Sequence, residues 1–252
     1  MASPFDLTGK TAIVTGASSG IGQGIAVALA AAGARIAGVA RSSQEETAAR
    51  VKSAGGGYLA IKADLASIEP VERILDETIR WAGCADILIN NAGIIRRADP
   101  LEFSEKDWDD VINVDLKSVF FLAQAFAKRA LARSGGAKIV NVASVLAYTG
   151  GIRVPSYTAA KHGVAGLTKL LANEWAPKGI NVNAIAPGYV RTEATQALQE
   201  DPVRNERLLA RIPAGRWGEP ADIGGAAVFL SSRASDYCHG TILIVDGGWL
   251  AG

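Results

Sequence analysis

The chain has 252 residues, with 26 lysines and arginines against 25 aspartates and glutamates, so its formal net charge is +1. That balance gives no electrostatic footprint for nucleic acid or an anionic membrane surface, and a composition 49% hydrophobic and 20% charged excludes a disordered or fibrous chain. The length suits one α/β domain with a single core, and Cys84 and Cys238 show no CxxC or ligand-like spacing, as expected in a reducing compartment.

In chain order, the first ten residues carry Asp6 and Lys10 and no apolar signal core, so a cytoplasmic location is expected. The most apolar stretch, 24–40, is broken by Gly33 and Arg35, which argues against a membrane span. Short apolar runs at 11–15, 35–40, 58–63, 87–90, 138–143, 181–186 and 241–245 read as strands, several dense in Val and Ile as for strands buried on both faces. Helix-length segments separate them, among them 21–32, 67–82 and 157–175. The alternation predicts an α/β fold: a Rossmann-like, doubly wound parallel sheet of about seven strands in a single domain. Residues 191–216, after the Pro187-Gly188 break, are polar and helix-patterned. They read either as a solvated hairpin or as a lid over the substrate, and their place after a strand favours the lid.

Thr15-Gly16-Ala17-Ser18-Ser19-Gly20-Ile21-Gly22 follows the first strand and opens the first helix. Glycines at that junction let the backbone approach a pyrophosphate, and the helix N-terminus offers N–H groups and a favourable dipole. Gly16, Ser18, Ser19, Gly20 and Ile21 are therefore candidate cofactor contacts. The second strand ends in Ala40-Arg41 without an acidic residue for ribose hydroxyls. Arg41 offers a fork of donors to a 2′-phosphate, which tilts NAD(P)(H) towards NADP(H); otherwise it is a solvated surface charge.

Tyr157 and Lys161 are four residues apart, so they share a helix face. A free phenol, with a pKa of about 10, is a poor base at neutral pH; an adjacent ammonium stabilises the phenolate and makes it a usable acid/base. Ser144 follows the fifth strand, where it serves either as a turn cap or as a hydrogen-bond partner for a substrate oxygen. Asn113 satisfies backbone groups or holds a proton-relay water near Lys161. Asn90-Asn91-Ala92-Gly93 ends the fourth strand with small residues that permit close approach to a cofactor. His162 and His239 form no ligand cluster, so no metal is expected.

Taken together and in order, the glycine loop, Asn90-Asn-Ala-Gly93, Asn113, Ser144, Tyr157-x-x-x-Lys161 and Pro187-Gly188 resemble the short-chain dehydrogenase/reductase family over essentially the whole chain. The resemblance implies Tyr157 as acid/base, Lys161 as its electrostatic partner and a ribose ligand, Ser144 on the substrate oxygen and Asn113 as relay support. It also implies cofactor contacts from Asp64, Leu65, Asn91, Ala92 and Gly93, and from Pro187, Gly188, Val190 and Thr192. Family members are usually tetramers, which implies a homotetramer packed through the alanine-rich 120–131 segment and the helix around Gly163. Arg96, Arg97 and Arg153 sit in segments running to and from the site; they are either carboxylate clamps for the substrate or solvated charges. Those segments, with 172–176, 211–217 and 246–250, resemble the branch of the family that acts on deoxy sugar acids. A 3-oxoacyl-carrier-protein reductase shares the same catalytic set but wants a basic docking surface. A non-catalytic nucleotide sensor is a further alternative, which has no need to retain Ser144, Tyr157 and Lys161.

Overall fold

The computed structural model describes residues 3–133 and 136–252. Its single sheet contains β1 (Thr11–Thr15), β2 (Arg35–Ala40), β3 (Tyr58–Lys62), β4 (Ile87–Asn90), β5 (Ala137–Val142), β6 (Ile180–Pro187) and β7 (Ile242–Val245). These seven strands pair in the order β3-β2-β1-β4-β5-β6-β7, and every pairing is parallel. The order reverses between β1 and β4, the topological position at which open α/β sheets bind ligands beyond their strand ends. The doubly wound sheet expected from the alternation of segments is thus the fold observed.

Two-residue periodicity decides which side chains face which layer. Ala12 and Val14 of β1, Ile36 of β2 and Ile87 and Ile89 of β4 pack with Ile25 and Leu29 of α1 (Gly20–Ala31) and Ile223 and Leu230 of α9 (Pro220–Ser231). Ile13, Val39, Leu88 and Ile139 point the other way, against α3 (Val71–Ala82), α5 (Ser118–Leu131) and α6 (Pro155–Trp175). Both faces are covered, which is why the strand sequences are nearly continuous apolar runs. In α3, buried Val71, Ile74, Leu75 and Thr78 form a stripe at helical spacing. The segment 67–82 becomes helical only at Val71, because Pro70 disfavours helical backbone in the residue before it.

The remaining helices are α2 (Glu45–Ser53), α4 (Glu105–Ile112), α7 (Gln196–Gln199) and α8 (Pro202–Leu209). Ser104 caps α4, its hydroxyl accepting from the Asp107 N–H at 3.0 Å. α4 does not run straight into α5: a π-helical turn at Asn113–Lys117 joins them and changes which residues face the sheet. No helix among the described residues is long and apolar enough to cross a membrane.

Candidate active site

At the switch point, the β1–α1 loop is fixed by its neighbours. Gly16, with φ of 67°, donates to the Val39 carbonyl at 2.8 Å. The Thr15 hydroxyl accepts the backbone N–H groups of Asn91 and Ala92, each at 2.9 Å, and the Asn91 amide donates to the Thr15 carbonyl at 2.8 Å. A Cβ on Gly16 would lie 2.7 Å from that amide, so the glycine is what lets the ends of β1 and β4 meet. From below, the buried Thr47 hydroxyl donates to the Ala17 carbonyl at 2.8 Å. Ser19 precedes α1 without capping it through its side chain, and no acidic residue stands in the first turn. The helix end therefore presents its N–H groups and dipole to the cleft.

The cleft is a cavity of about 720 Å³ above these strand ends, a size suited to a cofactor. Gly16, Ser18, Ser19, Gly20 and Ile21 line its floor, with Asn91, Ala92 and Gly93 along one side. Arg41, Asp64 and Leu65 line the distal end, and Thr192 reaches over from the far bank. Arg41 and Asp64 are exposed and 3.8 Å apart, so any anion bound by Arg41 competes with this carboxylate. Of the other expected contacts, Pro187 ends β6, and a Cβ on Gly188 would lie 2.7 Å from the Asp246 Cα. Val190 is buried among the core residues of the α1–α9 layer, and its carbonyl accepts the Thr195 hydroxyl at 2.7 Å. Glycine cradle, helix terminus and a terminal arginine together fit a phosphate-bearing dinucleotide.

Ser144, Tyr157 and Lys161 come from β5's end and α6. Lys161 is buried, and its ammonium donates to the Val142 carbonyl at 3.0 Å. Its Nζ lies 5.3 Å from the centre of the Tyr157 ring. Burial disfavours the ammonium, but Asp115 and Tyr157 outweigh it and hold the Lys161 pKa above its ordinary value. The Ser144 hydroxyl accepts the Leu146 N–H at 3.1 Å, capping a short turn at Val145–Ala147. Its own O–H remains available to a second partner.

The side chain that meets Lys161 is Asp115, whose Oδ2 lies 3.4 Å from Nζ. Asn113 is the first residue of the π turn, and Asp115 is among the residues that this turn buries. Asp115 is fully buried, and its Oδ1 accepts the Ile94 N–H at 2.8 Å. Burial raises its pKa above the aspartate value, against the opposing pull of Lys161 and the Ile94 N–H.

The arginines divide. Arg96 pairs with Asp107 at 3.3 Å and Asp110 at 3.4 Å, which ties it to α4. Arg97 crosses the mouth, donating to the Ala194 carbonyl at 3.2 Å. Arg153 is exposed, with a left-handed φ of 62°, and its carbonyl accepts the Ala98 N–H at 3.2 Å. That bond joins the loop before α6 to the loop after β4. Sequence reasoning missed an aromatic wall on the far side: the Tyr189 ring lies 5.7 Å from Trp217 and 4.6 Å from Trp249, centre to centre. Arg211 stacks on Trp249 with its guanidinium 3.9 Å from the ring centre. Burial, only partly offset by Arg211 and Arg97, pushes the Tyr189 phenol up, and Tyr157 reinforces the rise, so these groups share one electrostatic neighbourhood.

Residues 16–250 match the protein family described as enoyl-(acyl carrier protein) reductase. Over 249 residues the chain is 55% identical to a 2-dehydro-3-deoxy-D-gluconate 5-dehydrogenase of Escherichia coli (strain K12), covering 99% of this chain and 98% of the relative. An Agrobacterium tumefaciens protein, crystallised with bound NADP and provisionally assigned as a 2-deoxy-D-gluconate 3-dehydrogenase, is 59% identical with a TM-score of 0.95, covering all of both chains. A gluconate 5-dehydrogenase from Burkholderia cenocepacia J2315, in complex with NADP and tartrate, is 40% identical with a TM-score of 0.93 over 99% of this chain and 98% of the other.

Proposed function

This chain belongs to the short-chain dehydrogenase/reductase family, and we propose that it interconverts a secondary alcohol and a ketone on a deoxy sugar acid, using NADP(H) in preference to NAD(H). The activity is that of a 2-deoxy-D-gluconate 3-dehydrogenase or 2-dehydro-3-deoxy-D-gluconate 5-dehydrogenase. The observation that carries the chemistry is the buried Lys161 ammonium held beside the Tyr157 ring at the carboxyl end of the sheet.

In oxidation, Tyr157 takes the substrate hydroxyl proton, and in reduction it returns a proton to the carbonyl oxygen. Lys161 stabilises the phenolate that results between turnovers. Ser144 donates its O–H to the same substrate oxygen and so fixes the substrate against Tyr157. The glycine loop, the α1 N-terminus and Arg41 hold the dinucleotide, and Asn91 to Gly93, Gly188 and Thr192 flank it. When bound, the nicotinamide supplies the hydride acceptor or donor. Arg97 and Arg153, on loops linked by the Ala98–Arg153 backbone hydrogen bond, and Arg211, stacked on Trp249, offer guanidinium groups to the substrate carboxylate. Residues 191–216 act as the lid over the substrate. A 3-oxoacyl thioester reductase would use the same Tyr157, Ser144 and Lys161, but the net charge of +1 gives an acidic carrier protein little to dock on.

The discriminating experiment compares kcat/KM for a keto deoxy sugar acid with that for the matched neutral keto sugar. The clamp reading expects at least a tenfold preference for the acid, the scale of one charge-assisted hydrogen bond of about 1.5–3 kcal/mol. Equal values would reduce the arginines to surface charges. The same reading takes the protein to be a cytoplasmic homotetramer packed through α5 and α6. Half-exposed Leu131 and Leu170 on those helices support this, and light scattering on the purified protein checks it.

A further inference from the structure

The turn at residues 246–250 has no part in the proton transfer described above, yet it is closely built. The Asp246 carboxylate organises it: Oδ1 accepts the Gly248 N–H at 2.8 Å, and Oδ2 accepts the Leu250 N–H at 2.9 Å. Gly247 and Gly248 take left-handed φ of 65° and 91°, a backbone that favours glycine. The turn grips the 211–214 stretch: the Gly247 carbonyl accepts the Ala214 N–H at 2.9 Å, and a Cβ on Gly248 would lie 2.9 Å from the Pro213 ring. Trp249 is thereby buried in one cluster with Ile212 and with Val145, the residue after Ser144. Tyr189 packs against its ring, and the Arg211 guanidinium lies over it, 3.9 Å from the ring centre.

Two features set this stack apart from ordinary packing. Arg211 has no acidic partner among the described residues, whereas Arg191, Arg204 and Arg216 on the same bank each have one. The Trp217 indole N–H donates to Asn205 at 2.7 Å, but neither the Trp249 indole N–H nor the Tyr189 hydroxyl has a hydrogen-bond partner among the described residues. Tyr189 is within electrostatic reach of both Arg211 and Tyr157, which puts the stack at the mouth of the site. Arg97, by contrast, already spends a donor on the Ala194 carbonyl.

We propose that Arg211 is the specificity-determining contact for the substrate carboxylate, and that Trp249 is the positioning residue that holds its guanidinium in place. The inference rests on the sugar-acid reading above and assigns, within it, which arginine reads the acid. A guanidinium lying flat on an aromatic face keeps its N–H edge for a ligand. That edge can meet a carboxylate through two parallel N–H donors. The Trp249 N–H and the Tyr189 hydroxyl offer further donors to neighbouring sugar hydroxyls.

The test is the ratio of kcat/KM for a keto deoxy sugar acid to that for the matched neutral keto sugar. It is measured in the parent, Arg211→Gln, Arg211→Lys, Trp249→Leu and Trp249→Phe, with melting temperature and NADPH fluorescence as checks of fold and cofactor binding. Arg211→Gln should lower the ratio about tenfold or more, through the KM of the acid and not through the neutral sugar. Trp249→Leu should lower it too, and should add nothing to Arg211→Gln, because both changes remove one contact. Trp249→Phe, which keeps a ring to stack on, should restore most of the ratio. No preference for the acid in the parent defeats the sugar-acid reading and this inference together. A parent preference that survives Arg211→Gln overturns this inference alone. Equal losses on both substrates in Trp249→Leu overturn the positioning role. Should Trp249→Leu not fold, Arg211→Lys decides: it keeps the charge without the planar fork and should fall nearly as far as Arg211→Gln, and a parent-like ratio there contradicts the need for a stacked guanidinium.

Discussion

The two banks of the cleft are held in different ways. On the cofactor bank, Thr15, Asn91 and Thr47 make buried or half-buried hydrogen bonds between β1, β4 and α2, and Lys161 and Asp115 lie inside the protein. On the other bank, residues 191–216 are anchored by buried Ile212 and by the Trp217 indole N–H donating to Asn205 at 2.7 Å, and are otherwise held by exposed ion pairs. Arg191 meets Glu219 at 3.1 Å, Arg216 meets Asp222 at 2.7 Å, and Arg204 meets Asp201 at 3.5 Å. A buried polar link fixes geometry because breaking it strands a desolvated group, whereas an exposed pair contributes about 0–1 kcal/mol and weakens with salt. On the proposed reading the chemistry sits on the bank held by buried links, and the substrate enters past the bank held in part at its surface.

The largest expected effect is on the rigid bank. Tyr157→Phe should lower kcat by about a hundredfold to ten-thousandfold, the usual value of a positioned acid/base, with cofactor affinity within a few-fold of the parent by fluorescence titration. Retained turnover would remove the central group from the mechanism. Gly22→Ala should come next. Its Cβ would sit 2.5 Å from the Asn91 amide and closer still to the Gly16 carbonyl. That overpacking costs about 1–3 kcal/mol, read as a lower melting temperature together with weakened cofactor binding. A variant that binds and melts like the parent would show that the loop yields more readily than its hydrogen bonds imply. Arg41→Ala should reduce the preference for NADPH over NADH by about tenfold to a hundredfold, and an unaltered ratio would leave Arg41 as a partner of Asp64 only.

The smallest effect belongs to the second bank. Arg216 lowers the Asp222 pKa from 3.8 to about 2, through their hydrogen-bonded pair at the start of α9. A depressed carboxylate pKa contributes stability above the unfolded value of 3.8, and that stability is lost as pH falls towards about 2. Because both side chains are substantially exposed, the contribution stays within about 1 kcal/mol. Melting curves of the parent and Asp222→Asn should therefore converge as pH falls through that window and separate slightly above it. A large gap would mean that the exposed pairs hold this bank as firmly as the buried links hold the other.

The contrast also explains what could be read from the chain. The glycine loop, Ser144, Tyr157 and Lys161 sit at strand ends or one helical turn apart, a pattern that the family resemblance turns into one site. Asp115 was hidden because an ordinary helix gives no reason to prefer it to Asn113, two positions away; the π turn decides, and it is a tertiary feature. The wall of Tyr189, Trp217 and Trp249 joins three segments that no local spacing relates. Arg96 looked equivalent to Arg97 in the sequence, yet two acidic residues of α4 claim it.

The most direct test of the whole account is a set of initial rates, read from reduced-nicotinamide absorbance, with NADPH and NADH in parallel. The substrates are keto deoxy sugar acids and 3-oxoacyl thioesters. The account predicts turnover of a keto deoxy sugar acid, faster with NADPH. Turnover of the thioesters alone would contradict it and move the protein to carrier-linked reduction, and tight cofactor binding without any turnover would contradict the enzymatic reading itself.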